Sequence, residues 1–259
     1  MLPCGDPAGP CPATCNPLPG LVTIGRLGSP MYYAPRTIAF LCELLHPPVA
    51  PDPGPVQRVH NQLFESGDPP YQSFHVTPEG SVLSNPSTRP GAVSSASFLK
   101  DRFQFREELT GETTEGFGER VQKLATQVCS EKGIQIFTAQ VVTVRTLINP
   151  KNWRDSRGFL KEGVFKFDGE LQCLGREPQL FGLRLVFPPT QDSPNAFTLR
   201  IESFASDPRS LFIENQASFG PQVVARGLEE TSANVQRNYT FIVERVLPFL
   251  GNFDARQEA

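Results

Sequence analysis

Metal-ligand spacings, phosphate-binding loops and long apolar runs are all missing from this sequence, and each absence excludes a class of function. Histidine occurs only at His46, His60 and His75. They lie in different segments of the first half and form no H-x3-H or H-E-x2-H pair, so zinc-hydrolase chemistry has no ligands here. The nearest approach to a phosphate loop, residues 111–118, runs into a helical pattern but lacks the Lys-Ser/Thr ending. Glu112 and Glu115 there would repel a phosphate and suit instead the positive end of a helix dipole. The longest mostly apolar stretch, 180–189, is broken by Arg184 and is far short of the ~20 residues of a membrane-spanning helix. No basic region followed by an apolar stretch opens the chain, so no secretory signal is expected, and the protein is read as cytoplasmic.

Cysteine is sparse and poorly spaced for metal. Cys4, Cys11 and Cys15 sit in a Pro/Gly-rich leader over residues 1–30, at separations that match no C-x2-C zinc pattern. A flexible leader with free thiols is the plain expectation for them. Cys42, Cys129 and Cys173 fall within periodic segments and read as small core residues. Charge is balanced as well: 24 basic against 27 acidic residues leave a net charge of -3, without the basic surplus of a dedicated nucleic-acid binder.

What the chain does have is phenylalanine, 20 residues of it against a single tryptophan, Trp153. Much of it recurs at sheet and helix periods. Residues 37–45 form an apolar run suited to a buried strand, and 56–64 place Val56, Val59, Leu63 and Phe64 at helical spacing. Segments 71–77 and 94–108 are strand candidates separated by a stretch of turns and loop over 77–92. In 94–108, Leu99, Phe103 and Phe105 alternate with Lys100, Arg102, Gln104, Arg106 and Glu108, the signature of a sheet with one wet face. Residues 114–130 then form a helix that Gly133 should stop. The same order follows over 134–253: a long strand 134–148 with Phe137, Ala139, Val141 and Leu147 inward, a short helix 152–165 capped by Asn152 or Asp155, strands 179–187 and 197–204, a further strand 210–219, and a final helix 228–252 bent by Pro248.

The chain therefore reads as an α+β protein, with a strand-helix-strand-strand-helix unit over 31–133 duplicated over 134–259. Two such units joined edge to edge give a curved antiparallel sheet with helices on one side. In element order this resembles the TATA-binding-protein-like duplicated saddle. The runs 182–187 (GLRLVF), 199–204 (LRIESF) and 238–249 (NYTFIVERVLPF) also resemble a sporadically distributed, uncharacterised bacterial family of about this length. That resemblance implies no catalytic residue and no cofactor.

Functionally, the strand arginines Arg102, Arg106, Arg184 and Arg200 are expected together on the helix-free face, interleaved with acids as cross-strand pairs. Arg154, Asp155 and Arg157 around Trp153 form the densest polar-aromatic cluster, read either as an interaction anchor or as packing for the short helix. The four strand arginines with Trp153 and Arg154 are the candidate interaction surface. No catalytic, cofactor or metal residue is assigned. The expected function is binding of a protein partner, with a ligand or enzymatic cavity between sheet and helices as the alternative and nucleic-acid binding on the open face as the second.

Overall fold

Strand β1, Arg36–Leu45, carries Phe40, Cys42 and Leu44 on one side and Leu41 and Glu43 on the other, and it sits near the middle of a nine-stranded sheet. The computed structural model describes residues 33–67 and 69–254. After β1 come α1 (Gly54–Glu65), β2 (Ser73–Thr77), β3 (Gly80–Ser84), β4 (Val93–Leu99), β5 (Arg102–Glu108) and the long α2 (Thr114–Lys132). The chain continues through β6 (Ile136–Phe137), β7 (Ala139–Ile148), a short α3 (Ser156–Gly158) prolonged as a π-helical turn over Phe159–Val164, β8 (Gly182–Phe187), β9 (Ala196–Ser203) and β10 (Leu211–Phe219). It closes with β11 (Gln222–Val223), α4 (Glu229–Phe241), a second π-helical turn over Ile242–Val246, and α5 (Leu247–Asp254). The π turn precedes Pro248, which cannot donate a backbone hydrogen bond and crowds the carbonyl one turn back, so the expected bend is absorbed there.

The main sheet runs β2-β3-β4-β5-β1-β7-β10-β9-β8 and is antiparallel throughout; β6 and β11 pair separately. The protein is thus α+β around a large antiparallel sheet. Its inward residues, among them Phe40, Phe103, Phe105, Val142, Val144, Ile213 and Ile201, are buried with Phe117, Val121 and Leu124 of α2 and Val235, Ile242 and Leu250 of the C-terminal helices. The Phe40 and Phe117 rings stack at 5.3 Å and join the sheet to α2.

Several sequence expectations need correction. Residues 94–108 are a hairpin, not one strand, with Lys100 and Asp101 at the turn. The turn is fixed from outside, because the Lys100 and Asp101 carbonyls accept hydrogen bonds from the backbone N–H groups of Val49 and His46. The hairpin shifts the pattern so that Phe98 points inward, in register with Phe103, and Leu99 does not share that face. The stretch 77–92 also contains a strand, β3. Gly80 makes it possible, since a Cβ there would lie 2.2 Å from the Phe98 carbonyl oxygen of the neighbouring strand. The expected strand 134–148 breaks at Thr138, whose N–H donates to the Leu45 carbonyl. Beyond the break the phase flips: Gln140, Val142, Val144 and Thr146 face inward, and Val141 does not. Asp155, not Asn152, caps α3 by accepting from the Gly158 N–H at 2.7 Å. Gly133 ends α2 in a left-handed conformation, as its sequence position suggested. The cysteines of the leader lie outside the described residues.

Helices α2 and α4 meet where Gly118 faces Ser232; a Cβ at 118 would approach the Ser232 Oγ to 2.7 Å and its Cα to 3.4 Å. Gly118→Val should force the helices apart and cost about 1–3 kcal/mol by overpacking. A chemical-denaturation midpoint equal to that of the unmodified protein would contradict this close crossing.

Candidate interaction surface

The side of the sheet opposite the helices is built from the outward residues of the same strands. Because β5, β1, β7, β10 and β9 are neighbours in register, arginines and glutamates two positions apart or directly across strands come into reach. Arg106 Nη2 lies 2.7 Å from Glu108 Oε2, and the other oxygen of Glu108 lies 3.3 Å from Arg145 Nη1. Arg145 Nε reaches Glu214 at 2.6 Å. Arg200 is 3.5 Å from Glu214 and 3.6 Å from Glu202. The result is one continuous row, Arg106–Glu108–Arg145–Glu214–Arg200–Glu202, in which each charge faces its opposite. Arg200 additionally covers the Phe212 ring at 5.2 Å. A second group holds Arg102 against Asp101 at 3.0 Å and Glu43 at 3.7 Å, with Gln104 donating to Glu43. The Arg102 guanidinium, through its hydrogen bond, holds the Asp101 carboxyl below its ordinary range. Solvent-exposed pairs of this kind contribute about 0–1 kcal/mol each, so the row arranges the surface more than it stabilises the fold.

Of the six residues singled out from the sequence, Arg102, Arg106 and Arg200 stand on this face within ion-paired groups. Arg184 stands on it as well, exposed on β8 and opposite Arg200 in register, but no acidic side chain of the described residues forms an ion pair with it. Trp153 and Arg154 lie elsewhere, in the connection from β7 to α3. The Trp153 indole packs edge-on against Phe159 at 6.0 Å and lies over Gly163, where a Cβ would meet the ring at 2.8 Å. Trp153 therefore packs the short helix onto the core, and Arg154 is exposed beside it. Arg145 and Glu214, the centre of the charged row, were missed from the sequence. Placing Arg145 outward required the phase of β7, which the break at Thr138 conceals.

On the helix side several titratable groups are buried in the core. His46 is buried edge-on between Phe103 and Phe137, and burial lowers its pKa despite the bond to the Pro47 carbonyl. His60 packs between Phe64 and Phe74 and is lowered for the same reason. Burial pushes the Cys42 and Cys129 thiols up to about 12, which leaves both protonated and unreactive. Glu107 is the exception in type: it turns inward, 2% exposed, where it accepts from Ser94 Oγ at 2.8 Å and from Arg120 Nη1 at 2.6 Å. Burial raises its pKa. Arg120 also bonds Glu112 and covers the Tyr71 ring at 5.8 Å.

Open depressions flank the helices. One, of about 630 Å³, lies between α4 and the ends of β8 and β9, with Phe187, Phe197 and Phe241 forming its apolar floor and Arg237, Glu244 and Arg245 its rim. Phe197 and Phe241 stack there at 4.6 Å, and Phe187 meets Phe241 edge-on at 5.7 Å. A smaller one, about 270 Å³, lies between α1 and α2 beside Arg120 and Lys123. No helix among the described residues is long and apolar enough to cross a membrane. No protein-family model matches the chain, and no curated protein matches it significantly.

Proposed function

We propose that this is a non-enzymatic, soluble, cytoplasmic protein that acts by binding a protein partner, as an adaptor or assembly subunit. The observation that carries this reading is the helix-free face of the nine-stranded sheet, broad, polar and internally charge-matched across five adjacent strands. Such a face offers hydrogen-bonding and charged groups already held in place, which favours orientation and specificity in a protein contact. Nucleic acid is the weaker reading, because glutamates occupy the positions between the arginines and oppose phosphate. A small apolar ligand in the groove above Phe197 and Phe241 is the second reading, supported by the volume and aromatic floor of that groove.

The duplicated architecture belongs to the same proposal. From the centre outward, one half runs β1-β5-β4-β3-β2 and the other β7-β10-β9-β8, and in each the main-sheet strand that comes last in the chain, β5 or β10, leads to a helix, α2 directly and α4 after the short β11. That order supports two copies of one unit joined at β1 and β7 in the manner of a TATA-binding-protein-like saddle. It carries no activity with it.

Gln216 and Ser218 are exposed on β10, between β7 and β9 on the open face. The double variant Gln216→Arg, Ser218→Arg should keep the far-ultraviolet spectrum and weaken capture of the partner from the native host about tenfold or more. Partner recovery unchanged by the variant would remove the open face from the contact. A metabolite co-purifying in stoichiometric amount, with no protein, would replace the adaptor reading by the ligand one.

A further inference from the structure

Strand β8 closes the sheet at one end, with β9 on one side and no strand of the described residues on the other. Ser203 N–H donates to the Phe181 carbonyl at 2.9 Å, and this fixes which backbone groups of β8 are spent. Moving in steps of two along the antiparallel register, Leu183, Leu185 and Phe187 turn their amides toward β9. Gly182, Arg184 and Val186 therefore turn their N–H and C=O groups outward, away from the sheet. The edge is lightly protected: Arg184 is its one charged residue, no proline or lysine lies within the strand, and Val186 is 63% exposed and Phe187 40% exposed. On the helix side, the row Leu183, Leu185, Phe187 leads to the aromatic groove under α4. On the open side stands Arg184, the one candidate strand arginine without an ion-pair partner among the described residues, and Arg245 on the groove rim likewise has none.

From this we infer that β8 is a docking edge for an extended segment of a partner protein, one that alternates apolar with acidic residues and adds as a tenth strand. The inference rests on the partner-binding reading and specifies its mode. The outward N–H and C=O groups of Gly182, Arg184 and Val186 supply the backbone hydrogen bonds of strand addition. Alternate apolar side chains of the segment fall beside Leu183, Leu185 and Phe187 at the mouth of the groove, while its acidic side chains face Arg184. A second copy of this chain fits less well. In any antiparallel register of β8 on a two-fold mate that overlaps most of the strand, the two Arg184 side chains stand opposite or diagonal to each other, roughly 5–8 Å apart, with like charge. The half-by-half order points the same way: β8 holds the place that β3 holds in the other half, and β3 is flanked by β2.

A nine-residue, end-capped, fluorescently labelled peptide alternating glutamate with valine and phenylalanine tests this by fluorescence anisotropy. It should bind the protein at least about tenfold tighter than the same peptide with lysine for glutamate. Val186→Pro removes only an outward N–H and is compatible with an edge strand, so it should leave the melting temperature within a few degrees and weaken the glutamate peptide at least about tenfold. Arg184→Glu should reverse the preference between the two peptides, and serves as the test if the proline variant unfolds. Absence of binding, equal affinity for both peptides, or unaltered binding by the proline and glutamate variants overturns the inference. So does a dimer in sedimentation that Val186→Pro makes monomeric, since the occupant is then a second copy. If Val186→Pro still captures the native partner while the Gln216/Ser218 variant does not, the edge inference fails and the partner-binding reading stands.

Discussion

Arg120→Ala is expected to lower the unfolding free energy by about 3–5 kcal/mol at neutral pH, the usual result of removing one member of a buried ion pair. The cause is the carboxylate left behind. Glu107 is almost wholly buried on the helix side of β5, and without Arg120 its charge retains only hydroxyl partners, those of Ser94 and Thr110. Burial already raises the Glu107 pKa, and Arg120 opposes that rise. Removing the guanidinium raises it further, so the folded variant binds more protons than its unfolded chain at pH values above the ordinary carboxylate range. Stability then falls as pH rises through that window. The deficit against the unmodified protein should therefore shrink as pH is lowered and Glu107 becomes neutral. Urea denaturation across pH 4–8 measures this. A deficit below about 1 kcal/mol, or one independent of pH, would mean that the pair behaves as a surface contact.

Asp254→Ala should be comparably damaging, at about 3 kcal/mol or more from three donors losing their acceptor. Asp254 is fully buried near the end of the described chain, and its side chain accepts from the Tyr33 hydroxyl at 2.7 Å and the backbone N–H groups of Lys151 and Asn152 at 2.7 and 3.0 Å. Its own carbonyl accepts from the Asn152 side chain. The residue thus ties the last helix both to the chain before β1 and to the exit of β7. Burial, reinforced by Asp254, holds the Tyr33 phenol well above its ordinary pKa. The Ala variant should bring one tyrosine ionisation back toward the normal range in an ultraviolet pH titration. A stability loss with no change in that titration would show that the lost energy comes from the backbone contacts alone. Asp254→Asn, which keeps one acceptor, should recover roughly half of the loss.

Neither cluster was visible in the sequence, while much of the sheet was. Strands β8 and β9 were legible because Phe181, Leu183, Leu185 and Phe187, and then Phe197, Leu199 and Ile201, alternate without interruption. The pairing of strand arginines with glutamates was also foreseeable, since both types sit at the wet positions of alternating segments. What failed was phase. One residue outside the ladder at Thr138 reversed the faces of β7, and the two-residue turn at Lys100 and Asp101 split one apparent strand into a hairpin. The inner face of α4 failed for another reason. It presents Thr231, Asn234 and Asn238 to the sheet, where Gln140 bonds the Thr231 carbonyl and accepts from Asn234 and Gln222, and Asn238 bonds Asn215 and the Val142 carbonyl. Polar side chains that meet polar partners inside the protein look the same in sequence as polar side chains facing water. Glu107 and Glu108 show the limit well: their adjacency guaranteed opposite faces, but nothing local said that Arg120 would be waiting on the inner one.

The central place of β1 also has a consequence in time. Its partner on one side, β5, follows within the same half, but its partner on the other, β7, begins about 100 residues further along the chain. At the usual synthesis rates of about 5–20 residues per second, a nascent chain would expose the β7-facing edge of β1 for several seconds or more. During that interval the first half is a sheet with its most apolar strand unpaired on one side, open to any other edge in the vicinity. The strand that gives the finished sheet its continuity is thus the one most in need of protection while the protein is being made.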